Sequence, residues 1–170
     1  MTIQDLNHLP KEQLKEELFK CCGSTTWVNK MLEVFPVEDY VDLMEDAEDK
    51  WYECSEADWR EAFTHHPKIG DINSLKKKFA STAQWASGEQ EGVNAASEEV
   101  LKQLSEGNQQ YEQKFGYIFI VCATGKSAEE MLILLQERLT NDASEEIKIA
   151  ADQQMQITRI RLDKLLKRNI

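Results

Sequence analysis

Breaks are sparse in this chain: three prolines and seven glycines are spread through 170 residues, and the segments between them repeat apolar residues at spacings of three and four. A backbone with few breakers and an apolar period near 3.6 folds as amphipathic helices. The expected class is therefore all-α, a single-domain bundle of about seven to nine helices over residues 1–170. A domain of this length buries roughly 70% of the surface its unfolded chain would expose, so it needs neither a disulfide nor a structural metal to hold together.

Residue patterns place the helices. The first runs from about Lys11 to Cys22 and stops at Gly23, and Ser24 caps a second through Trp27, Met31, Leu32 and Phe35 that ends at Pro36. Val37 to Glu53 reads as a third. Ser55-Glu56-Ala57-Asp58 has a capping-box arrangement with Asp in place of Glu or Gln, and it opens a short helix that delivers His65 and His66 at its C-terminal end. Ile72 to Phe79 and Thr82 to Trp85 are weak helical stretches. A long helix starts near Ser87 or Gly88 and reaches Phe115, with Val93, Ala96, Val100, Leu104, Asn108 and Tyr111 on one face, and Gly107 weakens it without ending it. Tyr117 to Thr124 is the one strand-like run and has no second run to pair with, so it reads as a buried extended connector or a turn of tight helix. Ser127 opens a helix to about Thr140, and the last helix starts at Asp142 or Ser144 and ends near Lys167.

The charge balance narrows the function classes. Twenty basic residues against 31 acidic ones leave a formal net charge of -11, which repels nucleic acid and anionic membrane surfaces. Neither class is expected as a partner. No apolar run approaches the roughly 18 residues that span a bilayer, and Met1 to Pro10 lacks the pattern of a secretory leader. Cys21, Cys22, Cys54 and Cys122 form no Cys-x-x-Cys pair and no secreted framework. Together these features lead us to expect a cytoplasmic protein with reduced, mostly buried thiols.

Chemistry concentrates at His65-His66-Pro67-Lys68-Ile69-Gly70-Asp71, because two of only three histidines stand at one helix end. Neighbours on a helix point about 100° apart, so only one of the pair can face a given site. Pro67 disfavours the helical conformation for the residue before it and so projects His66 out of the helix. The alternative use of such a His is to cap the last helical carbonyls. Glu89 and Gln90 fall in the first turn of the long helix, where N–H groups and the dipole favour an anion. A Glu89 carboxylate facing His66 would orient the imidazole and raise its pKa, unless Glu89 merely satisfies the helix N-terminus.

Two arginines of the last helix differ in their neighbours. Arg159 has Asp163 four residues on, a surface-pair spacing, whereas Arg161 has Ile157 and Leu165 at the same distance and lies along the edge of the buried stripe. There it either meets an anion or snorkels to water. No His-x-x-x-His or Cys/His cluster occurs, so no metal site is expected.

Three motifs in order, His66-Pro67-Lys68-Ile69-Gly70, Trp85-Ala86-Ser87-Gly88-Glu89-Gln90 and Asn108-x-x-Tyr111-x-x-x-Phe115-Gly116-Tyr117-x-Phe119-Ile120-Val121-Cys122-Ala123, resemble the 2-oxo-4-hydroxy-4-carboxy-5-ureidoimidazoline (OHCU) decarboxylase family. The resemblance continues through Arg138-Leu139-Thr140-Asn141-Asp142 and Ile157-x-x-Ile160-Arg161-Leu162. It implies an all-α, cofactor-free, usually dimeric enzyme of urate degradation that removes CO2 from OHCU and yields (S)-allantoin. By motif, His66 matches the family's catalytic proton donor, with Glu89 beside it. Pro67, Ala86, Ser87, Gly88, Glu89 and Gln90 match substrate-contacting positions, as do Ile120, Val121, Cys122, Ala123 and Thr124. Arg161 matches the substrate-binding arginine. The family commonly has Ser three residues before the Glu; here that position is Ala86, and Ser87 follows it.

Such a decarboxylation needs no metal. Loss of CO2 leaves an electron pair that the ring must accept, so the protein supplies oriented donors and one proton delivered to a single face. Two rivals remain: a helical protein-interaction module in which the His-Pro turn is only a stop, and a hydrolase of a related ureide.

Overall fold

A computed structural model describes residues 1–68, 71–80 and 90–167, and at residues 72, 78, 80 and 90–97 the backbone alone. Among the described residues there are nine helices and no strand: α1 (Ile3–His8), α2 (Lys11–Cys21), α3 (Thr25–Val34), α4 (Tyr40–Tyr52), α5 (Glu56–Thr64), α6 (Ile72–Ala80), α7 (Gln90–Phe115), α8 (Ala128–Leu139) and α9 (Ala143–Leu165). The all-α expectation holds. The chain groups into two compact units, one of 1–66, 120–122 and 147–170 and the other of 67–119 and 123–146.

The first unit is built around α3, which packs against α2, α4 and α5. Leu18, Trp27, Met31, Leu43, Trp51 and Phe63 are fully buried there. A buried indole N–H must find an acceptor, and each does. Trp27 Nε1 donates to the Ala47 carbonyl at 2.9 Å and Trp51 Nε1 to that of Ala151 at 2.9 Å. These bonds fix α3 to α4 and α4 to α9.

Helix starts follow side-chain caps. Ser24 Oγ accepts from Trp27 N, and Ser55 and Asp58 form the reciprocal capping box. The sequence reading placed no helix before Lys11, yet Thr2 and Asp5 form a second such box and open α1, a helix of six residues whose single buried side chain, Leu6, gives no period to read. The third expected helix begins at Tyr40 rather than Val37. Asn7 is the reason, since its Oδ1 accepts from Val37 N at 3.0 Å and its Nδ2 donates to Val37 O at 2.8 Å, which commits that backbone outside the helix. Asp39 then caps α4.

In the second unit α7 packs on α6 and α8. The buried stripe of α7 runs through Leu101, Leu104, Gly107, Tyr111 and Phe115, while Val100 and Asn108, expected on that face, are half-buried at its edge. Gly107 stays helical because α8 comes close: a Cβ there would lie 2.6 Å from Leu135 Cδ2. Tyr111 packs tilted against Phe115 and edge-on against Phe119, with ring centroids 4.6 and 5.2 Å away. Its hydroxyl donates to Glu146 Oε1 at 2.6 Å, and the same oxygen accepts from Arg138 Nε at 2.7 Å. Asn141 Nδ2 donates to the other oxygen, Oε2, at 3.0 Å, and the Arg138 guanidinium lies 4.5 Å from the Phe119 ring centroid. Arg138 and Asn141 of the Arg138-to-Asp142 motif thus both serve Glu146, Arg138 as the cation of a buried ion pair and Asn141 as a further donor. Tyr117 to Thr124 is a connector without regular structure, as expected. The Thr82 to Trp85 stretch and the start of the long helix at Ser87 or Gly88 lie outside the described residues.

All four cysteines are buried and none is in a disulfide. Burial pushes the Cys21 and Cys22 thiols up to about 12 and Cys54 to about 11, so at neutral pH they remain protonated and poor nucleophiles.

Candidate active site

The site is assembled in the first unit at the end of α5. His65 is the C-cap residue at φ -88° and ψ 0°, and the N–H groups of His65 and His66 donate back to Ala62 and Phe63. The helix has therefore ended before Pro67, as the clash of a proline ring with a preceding helical residue requires. The two imidazoles part company here. The His65 ring meets Phe19 edge-on at 4.9 Å, and its Cβ lies 2.7 Å from where a Cβ on Gly23 would sit. Only a glycine lets the α2–α3 turn approach so closely. His65 is a packing residue; His66 is free of that role.

The half-buried ring of His66 turns to α9, where its Nε2 hydrogen bonds with Gln154 Oε1. Burial holds its pKa below the ordinary imidazole value, the Gln154 bond opposes that effect, and the charges of Arg161 and His65 reinforce it. The direction is the reverse of the one expected from a facing Glu89. Glu89, with Ala86, Ser87 and Gly88, lies outside the described residues, so the groups described around His66 are a buried amide and a cation. Gln90 opens α7, of which only the backbone is described there.

Arg161 is half-buried on α9, at the edge of the buried stripe as its spacing predicts. Its Nη1 donates to the carbonyls of Cys21 at 3.3 Å and Lys20 at 3.5 Å. Those carbonyls are available because α2 ends at Cys21, and the negative end of a helix favours a cation. Arg161 is thus anchored by backbone rather than left to snorkel. Arg159 does not take Asp163 as its partner: it pairs with Glu48 on α4 at 3.0 Å, while Asp163 accepts from Tyr40 Oη at 2.8 Å. The i,i+4 spacing offered a weak surface pair, and a partner on a neighbouring helix won.

Ile120 and Cys122 of the connector are buried and Val121 is half-buried, and Cys122 N donates to Gln153 Oε1 at 2.8 Å. The first unit thus carries His66, residues 120–122 and Arg161, of which α9 holds the first by Gln154 and the connector by Gln153. Pro67 and Thr124 are exposed and Ala123 is half-buried, all three in the second unit.

Sequence reading missed both glutamines. The available signal was Gln154 itself, a polar residue in line with Ala150, Ala151, Thr158 and Leu162 on the buried stripe. Among the described residues no group of three His, Cys, Asp or Glu side chains is placed to hold a metal ion. No helix among them is long and apolar enough to cross a membrane.

A family model for OHCU decarboxylase matches residues 7–163. The uric acid degradation bifunctional protein TTL of Arabidopsis thaliana is 36% identical over 152 residues, which cover 89% of this chain and 47% of that protein. The 2-oxo-4-hydroxy-4-carboxy-5-ureidoimidazoline decarboxylase of Amia calva is 31% identical over 102 residues, 60% of this chain and 58% of its own. The chain thus spans about half the length of these curated relatives. A crystal structure of OHCU decarboxylase in the presence of (S)-allantoin superposes with a TM-score of 0.70 at 34% identity, covering 89% of this chain and 98% of that one. With a family match running through nearly every helix described above, the chain belongs to the OHCU decarboxylase family.

Proposed function

We propose that this chain decarboxylates OHCU to (S)-allantoin in urate catabolism. The observation that carries this reading is the family match over residues 7–163, and it is supported by His66 and Arg161, which the motif resemblance picks out and which lie on one unit. In the reaction the bond from ring carbon to carboxylate breaks, CO2 leaves, and the bonding pair shifts through the adjacent ring C=N bond onto its nitrogen, which takes a proton from solvent. The hydroxyl on that carbon becomes a carbonyl and gives up its proton, and a proton is added on one face of the neighbouring carbon. His66, kept neutral by burial, accepts the hydroxyl proton and returns it to carbon, so that one group does both transfers. Arg161 holds the anionic substrate through donors not spent on the α2 carbonyls, and the motif resemblance assigns Glu89, the Ala86 to Gln90 segment, Pro67 and residues 120–124 to substrate contact. The reading includes a cytoplasmic homodimer and one domain, the latter because the chain passes four times between its two units.

The test is to add the protein to freshly generated OHCU and follow both CO2 and optical activity. Rapid release of CO2 with (S)-allantoin is expected. Racemic product at the spontaneous rate would favour the interaction module, and ring opening without CO2 the hydrolase. Exhaustive chelation is expected to leave the rate unchanged, and a loss restored by a divalent ion would overturn the metal-free scheme. Arg161→Lys is expected to lower kcat/KM about tenfold or more, because an ammonium lacks the planar fork that can grip backbone carbonyl and substrate together. Steady-state kinetics on a variant with unchanged circular dichroism checks this, and Arg159→Lys serves as the control.

A further inference from the structure

We infer that Gln154 is a positioning residue that fixes which nitrogen of His66 faces the substrate. The inference rests on the proposed role of His66 and extends it to a residue that no family motif quoted above contains. Its basis is a chain of three polar groups whose contacts agree on one set of proton positions. Thr158 Oγ donates to the carbonyl of Gln154 one turn back at 2.9 Å, which leaves that oxygen only its lone pairs. The Gln154 amide nitrogen lies 3.2 Å from the same oxygen and donates to it. The amide oxygen therefore points at His66 Nε2, and because an amide oxygen can only accept, Nε2 must carry the proton. In the neutral ring this leaves Nδ1 as the lone pair available for proton transfer.

Burial makes the arrangement hard to reverse. Gln154 and Thr158 are 0% and 1% exposed, so bulk solvent does not reach the amide to satisfy it in a flipped orientation. The described charged groups acting on His66 are Arg161 from α9 and His65 beside it, both of which favour the neutral ring.

The experiment uses the full chain, wild type beside Gln154→Leu, Gln154→Glu and Thr158→Val, with two readouts. With only three histidines, ring nitrogens labelled with 15N can be assigned, and wild-type His66 is expected to show an exchange-protected Nε2–H that Gln154→Leu loses. On OHCU, Gln154→Leu is expected to lower kcat about tenfold with little change in KM, the size of one hydrogen bond. Gln154→Glu keeps an acceptor at the same place but adds a negative charge. It should retain the Nε2 proton and most activity at pH 8 while moving the acid limb of the kcat/KM profile up by about one pH unit or more. Thr158→Val frees the amide to flip, and the protected signal should weaken without disappearing. A wild-type ring protonated on Nδ1, or a Gln154→Glu profile that superposes on the wild type, would overturn the inference. Failure to turn over OHCU would instead overturn the functional reading, since the 15N assignment needs no substrate.

Discussion

His66→Asn is expected to lower the decarboxylation rate by about 10²-fold or more, the usual scale for loss of a general acid-base group, while His65→Ala changes it little. The two residues are adjacent, so the contrast tests geometry rather than neighbourhood. His65 spends its ring on Phe19 and the Gly23 turn; His66 hydrogen bonds to α9. Single-turnover kinetics of both variants, matched for helicity, gives the answer, and equal losses would remove His66 from its special role. A pH signature accompanies it. The His66 pKa is depressed in the folded chain, so the unfolded state binds its proton first as pH falls. The stability this residue contributes is full above the ordinary value of about 6.5 and is lost as pH drops through the folded value. Denaturant midpoints measured from pH 8 downward should therefore fall less steeply in His66→Asn than in wild type.

The largest effect on stability is expected at Glu146. Glu146→Ala leaves the Arg138 guanidinium, 8% exposed in its side chain, without the carboxylate that accepts from its Nε and Nη2, and it strips Tyr111 and Asn141 of the same acceptor. Breaking a buried pair by removing one partner costs about 3–5 kcal/mol, a large share of the stability of a small domain. Urea unfolding should show the midpoint falling sharply at an unchanged slope. Glu146→Gln retains two acceptor lone pairs on one oxygen and should recover part of the loss. A Glu146→Ala protein as stable as wild type would mean that the network contributes orientation and no net energy.

Helix positions were legible because the caps are local: Ser24, Ser55 and Ser127 each accept from a backbone N–H three residues on, and all three were readable as signatures. The start of α4 was not legible, because what displaces it is Asn7, thirty residues away in sequence. The same distinction governs the site. The Pro67 rule placed His66 outside the helix, since it acts on the residue immediately before the proline. Gln154 reaches His66 across 88 positions, and no local pattern reports such a meeting. Arg159 failed for the complementary reason: a good local spacing was outcompeted by Glu48, 111 residues away.

Gln153 and Gln154 are consecutive, yet one holds the backbone of the connector and the other an imidazole. On a helix a single residue step is a turn of 100° and an advance of 1.5 Å, so these two attachments set both the roll and the axial height of α9. Side-chain changes on its outward face leave that setting alone. An insertion or deletion of one residue in α9 before Gln153 swings both glutamines off their targets at once, and the helix itself gives no sign of it, remaining as helical as before. Length in this rod is thus a stricter constraint than composition, and lineages of this protein should vary α9 by substitution while keeping its count of residues.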